Sequence, residues 1–378
     1  MATILGTQAN NSWSFGGAPS GRFAIDGLGG EDSIDFGTTQ RSDYTIIQRS
    51  DGGVQIDSIS GASYTLSGTL YNIEILYFNS KRDTLDLRTF FGRLLQGSDG
   101  SDSLTGGTGS DSLMGGMGDD TLSGGAGNDL IDGGQGTDVA MYASTAASYA
   151  LAYDRLGGAL QVRDKSAARD GVDTLRNVER LSFADRVVNT ESRAHAGFSD
   201  IPAQMYQFFI LAFDAAPGVE YLQQCADAFR GGADVRRVTN VFTSKSQFTD
   251  VYPAGLSHRA LAEQLVENVV GTSAAATSKA QAVNDIAMAM DNGLSVGDMI
   301  YTVFSNLAAK PLQGSEWSGT ARLFQNQITV AKFYTELMNQ CTTDAVTLRA
   351  AIAAVGPDSD VGSDAAIVTL IGQGLFGG

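Results

Sequence analysis

The chain has 378 residues, long enough for two or three domains and a substantial core. Charged residues at 18% and hydrophobic residues at 43% describe a globular rather than a disordered protein. A net charge of −17 excludes nucleic acid as a partner, because its phosphates would be repelled by such a surface.

Residues 1–96 form the first region. The start, MATILGTQANNSW, has no basic segment followed by a long apolar one, so no cleaved N-terminal signal is expected, and no apolar run anywhere reaches a membrane span. Up to about residue 40, Gly, Asn and Ser alternate with apolar residues in the manner of short strands and turns. Within this stretch GLGGEDSID (Gly27 to Asp35) is an isolated copy of the nonapeptide described below, which makes Asp32 a candidate metal ligand without a partner block in the sequence. A duplication follows. Tyr44, Gly53, Asn72, Glu74, Leu76 and Phe78 recur as Tyr149, Gly158, Asn177, Glu179, Leu181 and Phe183, each displaced by 149 − 44 = 105 residues. Each copy reads as a hairpin with a Gly turn followed by another strand, and would extend or cap a solenoid whose ends otherwise expose strand edges. The Asn-Ile/Val-Glu triplet has no histidine or second acid beside it and is read as a structural turn or edge.

The second region, 97–190, opens on five unbroken blocks: GSDGSDSLT, GGTGSDSLM, GGMGDDTLS, GGAGNDLID and GGQGTDVAM. Each has Gly at its first and fourth places, Asp at its sixth and an apolar residue at its eighth. Gly lets the half-block turn tightly, and the next three residues form a short strand whose middle side chain points inward. Leu104, Leu113, Leu122, Ile131 and Ala140 are therefore expected inside a parallel β-roll. With two blocks to a coil, Asp102 stacks on Asp120, Asp111 on Asp129, and Asp120 on Asp138. Stacked carboxylates repel unless a hard cation lies between them. The spelling resembles the calcium-binding nonapeptide of RTX proteins. The resemblance implies Ca²⁺ at Asp102, Asp111, Asp120, Asp129 and Asp138, with turn carbonyls, including those of Gly100, Gly109, Gly118, Gly127 and Gly136, completing the shell. About three ions or more are expected, Ca²⁺ being favoured over Mg²⁺ by a large, carbonyl-rich oxygen cage. Gly-rich and acidic as it is, this stretch should fold only as it binds metal.

Near Ser199 the period changes and the third region, 199–378, reads as helical. Ser244-Lys-Ser-Gln247 and Ser295-Val-Gly-Asp298 spell capping boxes, and Ser257 precedes a run in which Leu261, Leu265, Val266 and Val269 share one face before Gly271 stops the helix. Further helices are expected over Ser278 to Asp291, Val296 to Leu307, Ile328 to Met338 and Leu348 to Val355. The segments FTSKSQFTDVYPAGLSHRALAEQLVENVVG and DNGLSVGDMIYTVFSNLA make 201–311 resemble the DUF4214-type helical domain found beside RTX repeats, although Asn268-Val-Val-Gly-Thr-Ser273 lacks that family's Arg and Pro. Asp358, Asp360 and Asp364 read as a solvated acidic loop. Cys225 and Cys341 are too few for a disulfide framework and are read as buried thiols rather than a pair. The tail AAIVTLIGQGLFGG fits either an uncleaved C-terminal export signal or a packed terminal helix.

No catalytic constellation is legible. His195 and His258 are the only histidines, and neither H-E-x-x-H nor G-x-S-x-G occurs, so no enzyme is expected. The fold class expected is α+β multidomain: a parallel β-roll with flanking hairpins, then an all-α domain. The resemblance implies a secreted, extracellular protein exported by a type I system. The function expected is calcium-dependent self-assembly into a surface layer or matrix filament, its partners further copies of itself and cell-surface polysaccharide. The alternative is an adhesin that binds a glycan or surface ligand through the helical domain.

Overall fold

The computed structural model describes residues 2–7, 9–15, 21–28, 31–48, 54–59, 66–71, 73, 75–87, 92–154, 159–166, 170–193, 195, 197–199, 201–253 and 255–377. The protein is α+β, with its strands up to Asn189 and its α-helices from Gln204 onward among these residues. It divides into two compact units, one of residues 1–96, 104–113 and 124–130, the other of 97–103, 114–123 and 131–378. The nonapeptides are thus dealt alternately to the two.

In the first unit, alternating apolar residues give β1 (Ala2–Leu5), β2 (Ser12–Ser14), β3 (Gly21–Asp26), β4 (Ser33–Asp35), β5 (Tyr44–Gln48), β6 (Val54–Ser58), β7 (Leu66–Tyr71), β8 (Ile75–Phe78) and β9 (Asp83–Asp86). They form two sheets, ordered β1-β3-β7-β6-β5 and β2-β4-β8-β9. Ala2 pairs in parallel with Phe23 and Ser12 with Ser33, so this region is itself a roll, with a coil of 23 − 2 = 21 residues. The β5–β6–β7 segment is antiparallel, as the repeated hairpin requires. Strand alternation turns one side inward: Ile25, Ile34, Phe36, Ile56, Leu70, Leu76 and Phe78 are almost wholly buried in one cluster.

The nonapeptides give β10 (Leu94–Gln96), β11 (Ser103–Gly107), β12 (Ser112–Met117), β13 (Thr121–Gly125), β14 (Leu130–Gln135) and β15 (Val139–Met141). The second hairpin repeat gives β16 (Tyr149–Asp154), β17 (Ala159–Asp164), β18 (Val172–Arg176), β19 (Arg180–Ser182) and β20 (Val187–Asn189). Their sheets run β10-β12-β14-β18-β17-β16 and β11-β13-β15-β19-β20. Apart from β10 and β11, this is the order of the first unit repeated. The registers repeat too: Ser33 opposes Ile75, and Val139 opposes Arg180. So do the aromatic clusters. Phe36, Tyr44 and Phe78 meet with centroids 5.1–5.6 Å apart, and Tyr142, Tyr149 and Phe183 with centroids 5.0–5.3 Å apart. The duplication is therefore of a whole roll segment with its hairpin. Gly53, Asn72, Glu74 and Gly158 lie outside the described residues.

Thr121 pairs in parallel with Val139, giving the coil of 139 − 121 = 18 residues that two blocks require. Leu113, Leu122, Ile131 and Ala140 are buried as expected, whereas Leu104 is only half-buried.

Helices then follow: α1 (Gln204–Phe213), α2 (Gly218–Arg230), α3 (Val235–Phe242), α4 (Ser246–Thr249), α5 (His258–Val270), α6 (Ala276–Asp291), α7 (Val296–Ala308), α8 (Ser318–Lys332), α9 (Ala345–Ala353) and α10 (Asp364–Phe376). Ser257 and Ser295 cap α5 and α7 through their side chains, and Gly271 ends α5 at φ 44°. Two expectations are corrected. Ser244 caps nothing: its hydroxyl donates to the Val241 carbonyl, and the short α4 begins after Lys245. The helix expected from Ile328 starts ten residues earlier at Ser318 and closes in a π-helical turn, Phe333–Leu337. The tail forms α10, whose Gly372 lies against Leu151 of β16 and whose Phe376 meets the Phe183 ring edge-on at 5.1 Å. Cys225 and Cys341 are free thiols, the first buried and the second half-buried.

Candidate metal sites

The sixth-place aspartates form two columns, one in each unit. In the second unit the Asp102 amide donates to Asp120 Oδ1 at 2.8 Å and the Asp120 amide to Asp138 Oδ1 at 2.8 Å. A backbone ladder runs beside them, Thr121 N–H donating to Asp102 O and Val139 N–H to Asp120 O. The first unit repeats the pattern, the Asp111 amide donating to Asp129 Oδ1 at 2.7 Å and Leu130 N–H to Asp111 O. All three stacked pairs expected from the sequence are therefore present.

One oxygen of Asp120, Asp129 and Asp138 is thereby used, and Oδ1 of Asp111 accepts from the Arg93 amide. The other points into its own turn, toward the first-place glycine. A methyl group at Gly115 would be driven into Asp120 Oδ2 and the Gly133 carbonyl oxygen; one at Gly106 would meet Asp111 Oδ2 and the Gly124 carbonyl oxygen. Glycine is required there by this close approach. Asp111, Asp120 and Asp138 are 2%, 1% and 0% exposed, and Oδ2 of each is buried without a hydrogen-bond partner. An ionised oxygen in that position is costly unless a cation meets it. The donor set, carboxylate plus main-chain carbonyl with no nitrogen or sulfur, suits Ca²⁺. The residues present therefore fit the metal. Among the described residues no group of three or more His, Cys, Asp or Glu side chains converges as a metal centre, so main-chain carbonyls have to supply much of any shell in these turns.

Asp129 is buried too, its carboxylate against Gly124, while Asp102, at the end of its column, is half-exposed and closes its own turn through Ser98. The Ser98 amide, at 2.6 Å, and then its hydroxyl hold the Asp102 carboxyl below the usual carboxylate range. Burial pushes Asp138 up, against the pull of the Asp120 N–H, with repulsion from Asp120, Asp119 and Asp132 adding to the rise. The fourth-place glycines stack on one another instead: Gly118 sits over Gly100, Gly127 over the carbonyl of Gly109 and Gly136 over that of Gly118. The oxygens framing Oδ2 of Asp102, Asp111 and Asp120 belong to the first-place glycines Gly115, Gly124 and Gly133, for which the sequence offered no signal beyond their place in the repeat.

Asp32 does have a neighbouring coil, contrary to its isolation in the sequence. It is fully buried, and its Oδ1 accepts from the Asn11 amide at 2.6 Å and from Asn11 Nδ2 at 2.8 Å. Asn11 thus occupies the place of a sixth-position aspartate one coil earlier. Arg93 does so below Asp111: its amide donates to Asp111 Oδ1, and its guanidinium Nη1 donates to the Gly106 carbonyl at 3.0 Å. At these two ends a side-chain donor supplies the positive charge or hydrogen. The acidic loop near residue 360 shows no such arrangement: Asp358 pairs with Arg322, and Asp360 accepts from the Gly362 amide.

Residues 94–122 and 106–140 match the family described as RTX calcium-binding nonapeptide repeat (4 copies). The chain carries RTX calcium-binding repeats, which imply Ca²⁺ binding and suggest a secreted protein. No curated protein matches it. Among solved structures it is similar to the AlgE6R3 subunit of the mannuronan C5-epimerase from Azotobacter vinelandii, with 20% identity over 29% of this chain and 85% of that one and a TM-score of 0.19. It is also similar to the extracellular lipase LipA from Serratia marcescens, with 13% identity over 47% of this chain and 38% of that one and a TM-score of 0.15. Among the described residues no helix is long and apolar enough to cross a membrane.

Proposed function

We propose that this is a secreted, non-enzymatic structural protein whose roll is set by Ca²⁺ held at Asp102, Asp111, Asp120, Asp129 and Asp138, and which then assembles with copies of itself. The observation that carries the calcium part is the pair of aspartate columns, with the inward oxygens of Asp111, Asp120 and Asp138 buried and facing main-chain carbonyls. Such a column is self-repelling until divalent ions neutralise it. Assembly is supported by apolar side chains exposed on the roll strands, Leu94, Met114, Leu130 and Met141, and by a charge of −17 that bound cations would reduce between neighbours. Export by a type I system with an uncleaved C-terminal signal goes with this reading.

Electron microscopy of the purified chain during a calcium titration tests it. Sheets, tubes or filaments that form with calcium and dissolve in chelator are expected. Monodisperse particles at every calcium concentration would refute assembly and favour the second reading, a surface-binding adhesin. That alternative draws on a cavity of about 250 Å³ in the helical region, lined by Phe209, Phe213, Tyr221 and Phe242 with Asp250 and Arg349 at its wall. Aromatic faces beside charged groups suit a sugar ring.

A further inference from the structure

We infer that Asn177-Val178-Glu179 is the closing half of an additional divalent-cation site, built on Asp138 and outside the nonapeptide series. This inference rests on the calcium reading of the roll.

Along the second-unit column each aspartate is covered by the next coil in three ways, and the segment above Asp138 reproduces all three. The first is the carboxylate bond. Asp138 N–H donates to Glu179 Oε2 at 2.8 Å, as Asp102 and Asp120 donate to the carboxylates above them. The second is the backbone ladder, where Arg180 N–H donates to Asp138 O at 3.0 Å in the way Val139 N–H donates to Asp120 O, Glu179 N–H sharing the same carbonyl at 3.1 Å. The third is the carbonyl over the glycine. A methyl group at Gly133 would strike Asp138 Oδ2 and the Asn177 carbonyl oxygen, just as one at Gly115 would strike Asp120 Oδ2 and the Gly133 carbonyl oxygen. Asn177 reaches that position with a left-handed backbone, φ 48°, and is anchored by its Nδ2 bond to Asp132 at 2.8 Å.

Asp138 supplies the independent sign of a ligand: it is fully buried, and its Oδ2, aimed into this cradle, has no hydrogen-bond partner. Asp138 Oδ2 and the Asn177 carbonyl facing one hollow, with the Glu179 carboxylate held beside them by the Asp138 amide, suit a hard divalent ion, and Ca²⁺ is the one that an all-oxygen donor set of carboxylate and carbonyl favours. The two other sixth-place substitutes are different in kind. Arg93 and Asn11 bring donors to the oxygens of the next coil, whereas Glu179 brings a further acceptor. The roll's nonapeptide column therefore ends on one more site, not on an inert cap.

The test is the calcium stoichiometry of the full chain, by titration calorimetry and native mass spectrometry, for the wild type and Glu179→Gln. Glutamine keeps an oxygen that can accept from the Asp138 amide, so the fold in saturating calcium should be unchanged by circular dichroism. The wild type is expected to bind one Ca²⁺ more than the variant. Equal stoichiometry would overturn the inference while leaving the aspartate sites intact. A wild type that binds no calcium would overturn both readings together. Should Glu179→Gln fail to fold, long-wavelength anomalous diffraction from wild-type crystals grown in calcium decides: a peak between Asp138, Glu179 and the Asn177 carbonyl supports the site, and its absence there refutes it.

Discussion

Asp120→Ala should be the most damaging of the single aspartate substitutions, because Asp120 is the middle rung of three. Its Oδ1 satisfies the Asp102 amide, its own amide is satisfied by Asp138, and its Oδ2 is one of the inward oxygens. Alanine removes a hydrogen bond to an ionised acceptor and strands the Asp102 amide, together about 3 kcal/mol. If folding of the roll is coupled to about three ions, that loss is spread over three binding steps, and the calcium midpoint rises about fivefold, since 1.4 kcal/mol is tenfold for one ion. The count of bound ions should also fall by at least one. Asp102→Ala removes a half-exposed end residue whose carboxylate is occupied with Ser98 in its own turn, so its midpoint should move much less. The assay is far-UV circular dichroism of chelator-stripped protein titrated with calcium, with calorimetry for the count. Equal midpoints for Asp102→Ala and Asp120→Ala would refute the stacking scheme.

Glycine substitutions separate a glycine packed inside the turns from one at the open end of its stack. Gly115→Ala forces a methyl group onto Asp120 Oδ2 and a main-chain oxygen, at about 2–3 kcal/mol of overpacking and the loss of an ion, whereas Gly100→Ala meets nothing within 4 Å and should leave the calcium titration unchanged. In the helical region, burial raises Asp214 from 3.8 to about 6, Arg349 opposing the rise. A raised folded-state pKa gives stability that is fully present below the unfolded value and lost as pH climbs through about 6. Asp214→Asn, which also suits the left-handed backbone at that position, should therefore raise thermal stability at pH 7 by on the order of 2 kcal/mol and make no difference near pH 4. Melting curves across that range in saturating calcium check it, and a constant offset at all pH values would count against it. Burial pushes the Cys225 thiol up to about 12, so native protein at pH 8 should leave it unalkylated while denaturant exposes it. Rapid labelling of Cys225 in the folded chain would contradict its placement.

The nonapeptide aspartates were legible because a fixed place every nine residues translates directly into a column every 18. Leu122 and Ile131 were legible for the same reason. What interrupts the count hides the rest. Glu179 lies 41 residues after Asp138 because a hairpin is inserted between two rungs, and it carries a longer side chain than the consensus. Asn11 precedes Asp32 by a 21-residue coil and has lost the charge. The 105-residue repeat was the available signal for the cap, since it pairs Asn177-Val-Glu179 with Asn72-Ile-Glu74. The matching aromatics Phe36 and Tyr142 escaped it because they are 142 − 36 = 106 apart, one residue out of step. Among helices, Ser257 and Ser295 were readable as side-chain caps. The start of α8 was not, because Trp317 at its cap makes no side-chain bond and its first turns carry little apolar pattern. Ser244 misled because a serine hydroxyl can equally turn back to a preceding carbonyl, here that of Val241.

The central claim is that residues 97–141 fold and bind calcium in one event. Hydrogen exchange of the full chain, followed peptide by peptide in saturating calcium and in chelator, tests it most directly. The amides of Asp102, Asp111 and Asp120 and the roll strands around them should be protected with calcium and exchange freely without it, while the helices from Gln204 onward stay protected in both. Equal protection of 97–141 in chelator and in calcium would contradict the account.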